Sequence, residues 1–163
     1  MSYKTKIVQF IILLFLGCFS INGQSKTYFG VKGGLNLTFF KVSESNFGFI
    51  PGSDAGYYTG AFCNIKIDET YSVQPEVLYI LLNDFEFLNV PFYVKYEMAH
   101  GLNILIGPSI NYFFDFFSNK LKIRADLSTS YNITKNLDFH VKYALGFKEL
   151  TPNSLFLGIG YRI

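Results

Sequence analysis

The sequence predicts an all-β fold: an eight-stranded, antiparallel, up-and-down transmembrane β-barrel that follows a cleaved signal peptide. Three observations carry this expectation. Apolar and polar side chains alternate with a period of two along most of the chain, most cleanly from Tyr28 to Phe40, and that is the period of a strand. A basic, then apolar, then small-residue segment stands at the N-terminus. Half of the 163 residues are apolar, with 19 Phe, 12 Tyr and no Trp. No helix-length apolar run follows the leader, so this greasiness is spread over alternate positions. Lipid-facing strands with aromatic girdles look like this.

The leader reads as Lys4 and Lys6, an apolar run from Ile7 to Phe19, and then Ser20-Ile21-Asn22-Gly23. A charged start, a short apolar stretch and a small residue at the end form a secretory signal. The expected organisation is therefore residues 1–23 as signal peptide and 24–163 as barrel. A membrane anchor is the alternative, but the run is shorter than the roughly 20 residues a spanning helix needs. Lipidation at Cys18 is another, and bulky Phe15 and Leu16 before Gly17 fit it poorly.

Lys4 and Lys6 account for the formal net charge of +2 over the whole chain. The mature chain is balanced, which argues against a nucleic-acid partner. Cys63 alone cannot form an internal disulfide. With His100 and His140 far apart in sequence, no metal site assembles, and no cofactor is expected.

Eight strands follow in order. The first is Tyr28–Phe40, with Phe29, Val31, Leu35, Leu37 and Phe39 on one face and Gly30, Lys32, Gly34, Asn36 and Thr38 on the other. The Ser-, Gly-, Asn- and Pro-rich stretch 41–53 reads as a loop. Strand two is Asp54–Ile67, and Asp68-Glu69-Thr70 turns the chain into strand three, Tyr71–Leu81. Pro75 within it is unusual, because proline cannot donate to a ladder. Strand four, Phe85–Tyr96, is separated by His100-Gly101 from strand five, Leu102–Phe116. Strand six, Lys122–Ile133, turns at Lys135-Asn136 into strand seven, Leu137–Phe147. Thr151-Pro152-Asn153-Ser154 reads as the last loop before strand eight, Leu155–Ile163. Strands of this length suffice for a tilted membrane crossing. Tight turns after strands two, four and six, with longer loops at the opposite end, would put the long loops outside the cell.

Alternation alone does not say which face meets lipid. The polar face carries Gly30, Gly34, Gly60, Gly107, Gly146, Gly158 and Gly160. The crowded interior of a small barrel needs such small residues, whereas a water-facing exterior would carry long solubilising ones. The apolar face is therefore expected outward, in the lipid of a bacterial outer membrane.

Several strings then resemble the PorT-like family of bacterial outer-membrane β-barrels, which belongs to the wider group of porin-like barrel proteins. They are Gly30-Val31-Lys32-Gly33-Gly34-Leu35-Asn36, Gln74-Pro75-Glu76-Val77-Leu78-Tyr79 and Asn89-Val90-Pro91-Phe92-Tyr93-Val94-Lys95-Tyr96. Gly101-Leu102-Asn103, Gly107-Pro108 and Gly158-Ile159-Gly160-Tyr161-Arg162 complete the set. The resemblance spans nearly the whole mature chain in order. It implies an outer-membrane barrel handled by the barrel assembly machinery, and proline at these strand positions. The family usually closes on an aromatic residue, and here Ile163 stands at that place with Tyr161 nearby.

The inward face would gather Lys32, Lys66, Glu76, Lys95, Arg124, Asp126, His140, Lys142 and Arg162 into a lumen charge network. In a narrow barrel such charges must pair, and eight strands enclose little beyond their own side chains. The expected function is thus a structural, binding or assembly component with a plugged lumen and no catalysis. The alternative is a narrow porin-like channel for small solutes. His140 with Ser128 or Ser130 invites comparison with lipid-modifying barrel enzymes, but it falls near the turn at the wrong end for outer-leaflet lipid. Phe47, Phe49 and Ile50 in loop 41–53 are candidates for contact with a protein partner.

Overall fold

The computed structural model describes residues 27–44, 48–83, 86–114, 120–147 and 152–163. The segment read as a leader lies outside these residues. Eight strands make one closed antiparallel barrel in sequence order. They are β1 (Thr27–Glu44), β2 (Gly48–Lys66), β3 (Tyr71–Leu82), β4 (Glu86–Glu97), β5 (Leu102–Phe113), β6 (Leu121–Asn132), β7 (Leu137–Gly146) and β8 (Asn153–Arg162). Closure runs through β1 and β8, from Gly30↔Arg162 to Phe39↔Asn153. No sheet edge is left open around the wall there, which is what hydrocarbon demands of a strand-built span.

Strand ends differ from the sequence expectation mostly by a residue or two, but two differences are substantive. Within the stretch 41–53, read as a loop, residues 41–44 and 48–53 are strand: Lys41 pairs with Pro51 and Glu44 with Gly48, so the β1–β2 pairing is extended. Cross-strand hydrogen bonding there outweighs the turn-forming composition. Asn153 and Ser154, read as loop, begin β8, where they pair with Phe39 and Thr38. Phe85 and residues 115–119, including the expected end of strand five at Phe116, lie outside the described residues.

The ladder is interrupted near three prolines. Between β2 and β3 the pairs jump from Phe62↔Glu76 to Ile65↔Val73. Between β3 and β4 they jump from Pro75↔Phe92 to Leu78↔Asn89, and between β4 and β5 from Pro91↔Ser109 to Val94↔Ile106. Each gap holds equal numbers of residues on both sides, so register survives. Pro75, Pro91 and Pro108 lack the N–H that a ladder bond uses, and the gaps fall where that donor is missing.

One end of the barrel is finished by three compact turns after β2, β4 and β6. In the first, Asp68 Oδ1 accepts from the backbone N–H of Thr70 and of Tyr71, both at 2.7 Å. The amides of Tyr71 and Thr70 hold this carboxyl below its ordinary value. In the second, a 3-10 turn at Ala99–Gly101, His100 has φ 64° and Gly101 φ 80°. Glycine adopts that left-handed backbone without strain.

The apolar face points outward. Val31, Leu35, Val94, Ile106, Leu127 and Ile159 form an exposed aliphatic waist, with Ile106 60% exposed. Tyr71, Tyr96, Tyr131 and Tyr161 ring the turn end, while Phe39, Tyr57, Tyr79, Tyr143 and Phe147 ring the other. An apolar band between two aromatic girdles is the exterior of a transmembrane barrel.

The glycines of the polar face, such as Gly30, Gly107 and Gly158, sit inside. A Cβ on Gly107 would run into the Phe92 carbonyl and Tyr93 Cα of the neighbouring strand. This interior position therefore admits no side chain without moving backbone.

Candidate functional site

Alternation sends one residue in two into the lumen, and the polar face of the sequence fills it. Lys32, Glu76, Lys95, Arg124, Asp126, His140 and Lys142 are all buried there, Arg124 at 0% exposure. Lys66 and Arg162, nearer the turn end, are half-buried. The nine do not form a single cluster. They divide into neighbouring groups at different heights.

Near mid-barrel, Lys32 Nζ lies 2.6 Å from Glu76 Oε1, joining β1 to β3 across the interior. Gln74 Nε2 donates to the same oxygen at 2.7 Å, and Asn64 Nδ2 donates to Gln74 Oε1 at 3.0 Å. Across the lumen, Lys142 Nζ stands 3.4 Å from Asp126 Oδ2 and donates to Asn89 Oδ1. Asp126 also accepts from Ser109 Oγ at 2.6 Å and from the Tyr93 hydroxyl at 3.2 Å. Glu76 and Asp126 thus each face a cation and at least one neutral donor, the condition under which burial of charge is tolerable.

Arg124 is placed differently. Its Nη1 donates to Ser154 Oγ at 3.0 Å, and its guanidinium lies 5.8 and 5.9 Å from the Phe87 and Phe113 ring centroids. Among the described residues no carboxylate oxygen comes within 4.0 Å of it. Ring faces supply part of what a counter-ion would.

The sequence reading missed the apolar layer beyond Arg124. Leu78, Ile80, Leu82, Phe87, Phe113 and Phe156 pack with Tyr58 and Ala144 inside the end remote from the turns. Phe87 and Phe113 stack with centroids 4.7 Å apart, and Tyr58 meets Phe156 edge-on at 5.3 Å. A signal was present in the parity: Leu78, Ile80 and Leu82 share a face with Ser72, Gln74 and Glu76. The strand changes from polar to apolar along its inward face, which an alternation count does not register.

His140 is held at both ring nitrogens. Nδ1 lies 3.1 Å from Asp138 Oδ1, and Nε2 is hydrogen-bonded to the Tyr58 hydroxyl. Among the described residues neither Ser128 nor Ser130 bonds to it. Ser128 Oγ donates to the Val141 carbonyl, and Ser130 Oγ accepts from Asn103. The histidine braces β2 against β7, its two ring nitrogens being taken up by Tyr58 and Asp138. Asp138 and Tyr58 were absent from the expected network, although Asp138 stands two residues from His140 on the same face.

At the turn end, Glu97 receives two lysines, Lys66 Nζ at 3.1 Å and Lys95 Nζ at 3.7 Å. Lys95 also donates to the Tyr28 hydroxyl at 3.3 Å, and the Arg162 guanidinium lies 3.6 Å from the Tyr28 ring centroid.

A closed eight-stranded wall, an apolar girdled exterior and a charged interior define an outer-membrane-type β-barrel. Solved structures share this fold. A de novo designed transmembrane β-barrel is 17% identical at a TM-score of 0.53, over 85% of this chain and 95% of its own. Neisserial surface protein A is 13% identical at 0.57, over 86% and 99%. Ail, the attachment invasion locus protein of Yersinia pestis, solved with the heparin analogue sucrose octasulfate, is 12% identical at 0.55, over 85% and 99%. No protein-family model and no curated protein matches the sequence.

Proposed function

We propose that this chain is a small bacterial outer-membrane barrel of the PorT-like kind, exported by its leader and inserted by the barrel assembly machinery. Its role is structural, binding or assembly, without catalysis, and its lumen is plugged. The observation that carries this reading is the filled interior. Paired charges occupy its middle and a layer of aromatic and aliphatic side chains occupies the end remote from the turns. The apolar layer weighs against the narrow-channel alternative, because a desolvated ion crossing it would meet no polar partner. Detergent extraction of the outer membrane should recover the protein with heat-modifiable gel mobility. Recovery as a soluble periplasmic monomer would contradict the assignment.

A role in binding a protein partner is favoured by the β1–β2 hairpin. Strand β1 pairs with β8 no further than Phe39, and β2 with β3 no further than Gly56, yet β1 and β2 stay paired to Glu44↔Gly48. Among the described residues the hairpin thus continues beyond its neighbours, with no ladder pairing to β3 or β8 along its outer part. Open strand edges accept an added strand. A photocrosslinker at position 49 is expected to capture a specific envelope protein in living cells. Capture equal to that from a position on the lipid face would count against this role.

A further inference from the structure

The turn end of the lumen opens as a polar funnel lined by Tyr28, Lys32, Lys95, Lys135, Asp138 and Arg162 among others. Four cationic side chains and one carboxylate lie in its wall. The recess is small, about 20 Å³, and partly open to solvent, so a ligand larger than water would sit at its mouth. Deeper in the lumen, Lys32 meets Glu76 and Lys142 meets Asp126 directly, and Arg124 lies beside the Phe87 and Phe113 rings. At the mouth the balance fails.

Lys32 is committed to Glu76 at 2.6 Å, and Asp138 is turned towards His140 at 3.1 Å. Lys95, itself buried, donates to the Tyr28 hydroxyl at 3.3 Å, and among the described residues its carboxylate contact within 4.0 Å is the 3.7 Å approach to Glu97, which Lys66 already holds at 3.1 Å. Arg162 has no carboxylate oxygen within 4.0 Å among the described residues and rests on the Tyr28 ring. Lys135 adds a third under-compensated cation at the rim. A concave site with low-dielectric walls concentrates such a field. Guanidinium and ammonium groups converging on one small space suit tetrahedral oxyanions.

We infer that the funnel binds a small multivalent oxyanion of the phosphate or sulfate type, held chiefly by Lys95 and Arg162 with Lys135 at the rim. Its source is either a free anion or the phosphate of a lipid headgroup reaching into the mouth.

The test is titration of the full barrel, folded in uncharged detergent at low ionic strength, with inorganic phosphate, followed by calorimetry and by ³¹P line broadening. Saturable binding is expected, weakened about tenfold by Arg162→Gln or Lys95→Gln, as for loss of one charge-assisted contact. Lys120→Gln, at the opposite end, should leave it unchanged. Should either lumen variant fail to fold, Lys135→Gln on the exposed turn still reads the site and should weaken binding severalfold. Absence of saturable binding to the unaltered protein, or equal affinity in the folded mouth variants, would overturn the inference. Repeating the titration in nanodiscs containing phosphatidylglycerol separates the sources. Lost phosphate binding there identifies the headgroup, and retained binding identifies the free anion.

Discussion

Lys32→Met is expected to lower the unfolding free energy by about 3–5 kcal/mol, the usual cost of orphaning one member of a buried ion pair. Lys32 and Glu76 meet at 2.6 Å with side chains 5% and 1% exposed. Removing the ammonium leaves Glu76, itself buried, with Gln74 as its remaining direct donor among the described residues. Urea-induced unfolding in lipid vesicles would measure the loss. The double variant Lys32→Met, Glu76→Met removes both charges and should be more stable than Lys32→Met alone, because no charge is then left unpaired. A single-variant cost below about 1 kcal/mol would mean that water already solvates Glu76, and the plugged interior would be wrong.

The second large effect is expected at Phe113. Phe113→Ala should cost about 3–5 kcal/mol, the range for truncating a buried aromatic. Phe113 is fully buried, stacked on Phe87 at 4.7 Å, and its ring lies beside the Arg124 guanidinium. Truncation opens a void and strips one ring from a cation with no carboxylate beside it. Phe92→Ala is the matched control, since Phe92 is 53% exposed on the outer face. It should cost clearly less, and the difference between the two, read from the same vesicle unfolding curves, reports which face is the packed one.

Strand number, order and the outward face were legible because a closed barrel enforces period two over its whole wall. A residue such as Ile106 has no choice of face once Leu105 and Asn103 point inward. The hairpin at 41–53 was not legible, because Ser, Gly, Asn and Pro there signal a turn while the pairing partner that makes them a strand lies across the chain. The charged half of the lumen followed from parity. Which charges meet did not, because pairing depends on strand stagger: Lys32 faces Gly60 in the β2 register and finds its carboxylate one strand further, at Glu76 on β3. Tyr58 and Phe156 fall by parity on the face that carries Gly60 and Gly158. Their meaning as part of an apolar layer depended on Leu78, Ile80 and Phe87 arriving at the same height, which only the register supplies.

Planar-bilayer recording of the refolded protein addresses the central claim most directly, because a filled lumen and an ion pathway differ in current. With its charges paired at mid-barrel and its aromatic layer in place, the protein should insert and give no stable open steps. Reproducible single-channel steps from the unaltered barrel would contradict the account.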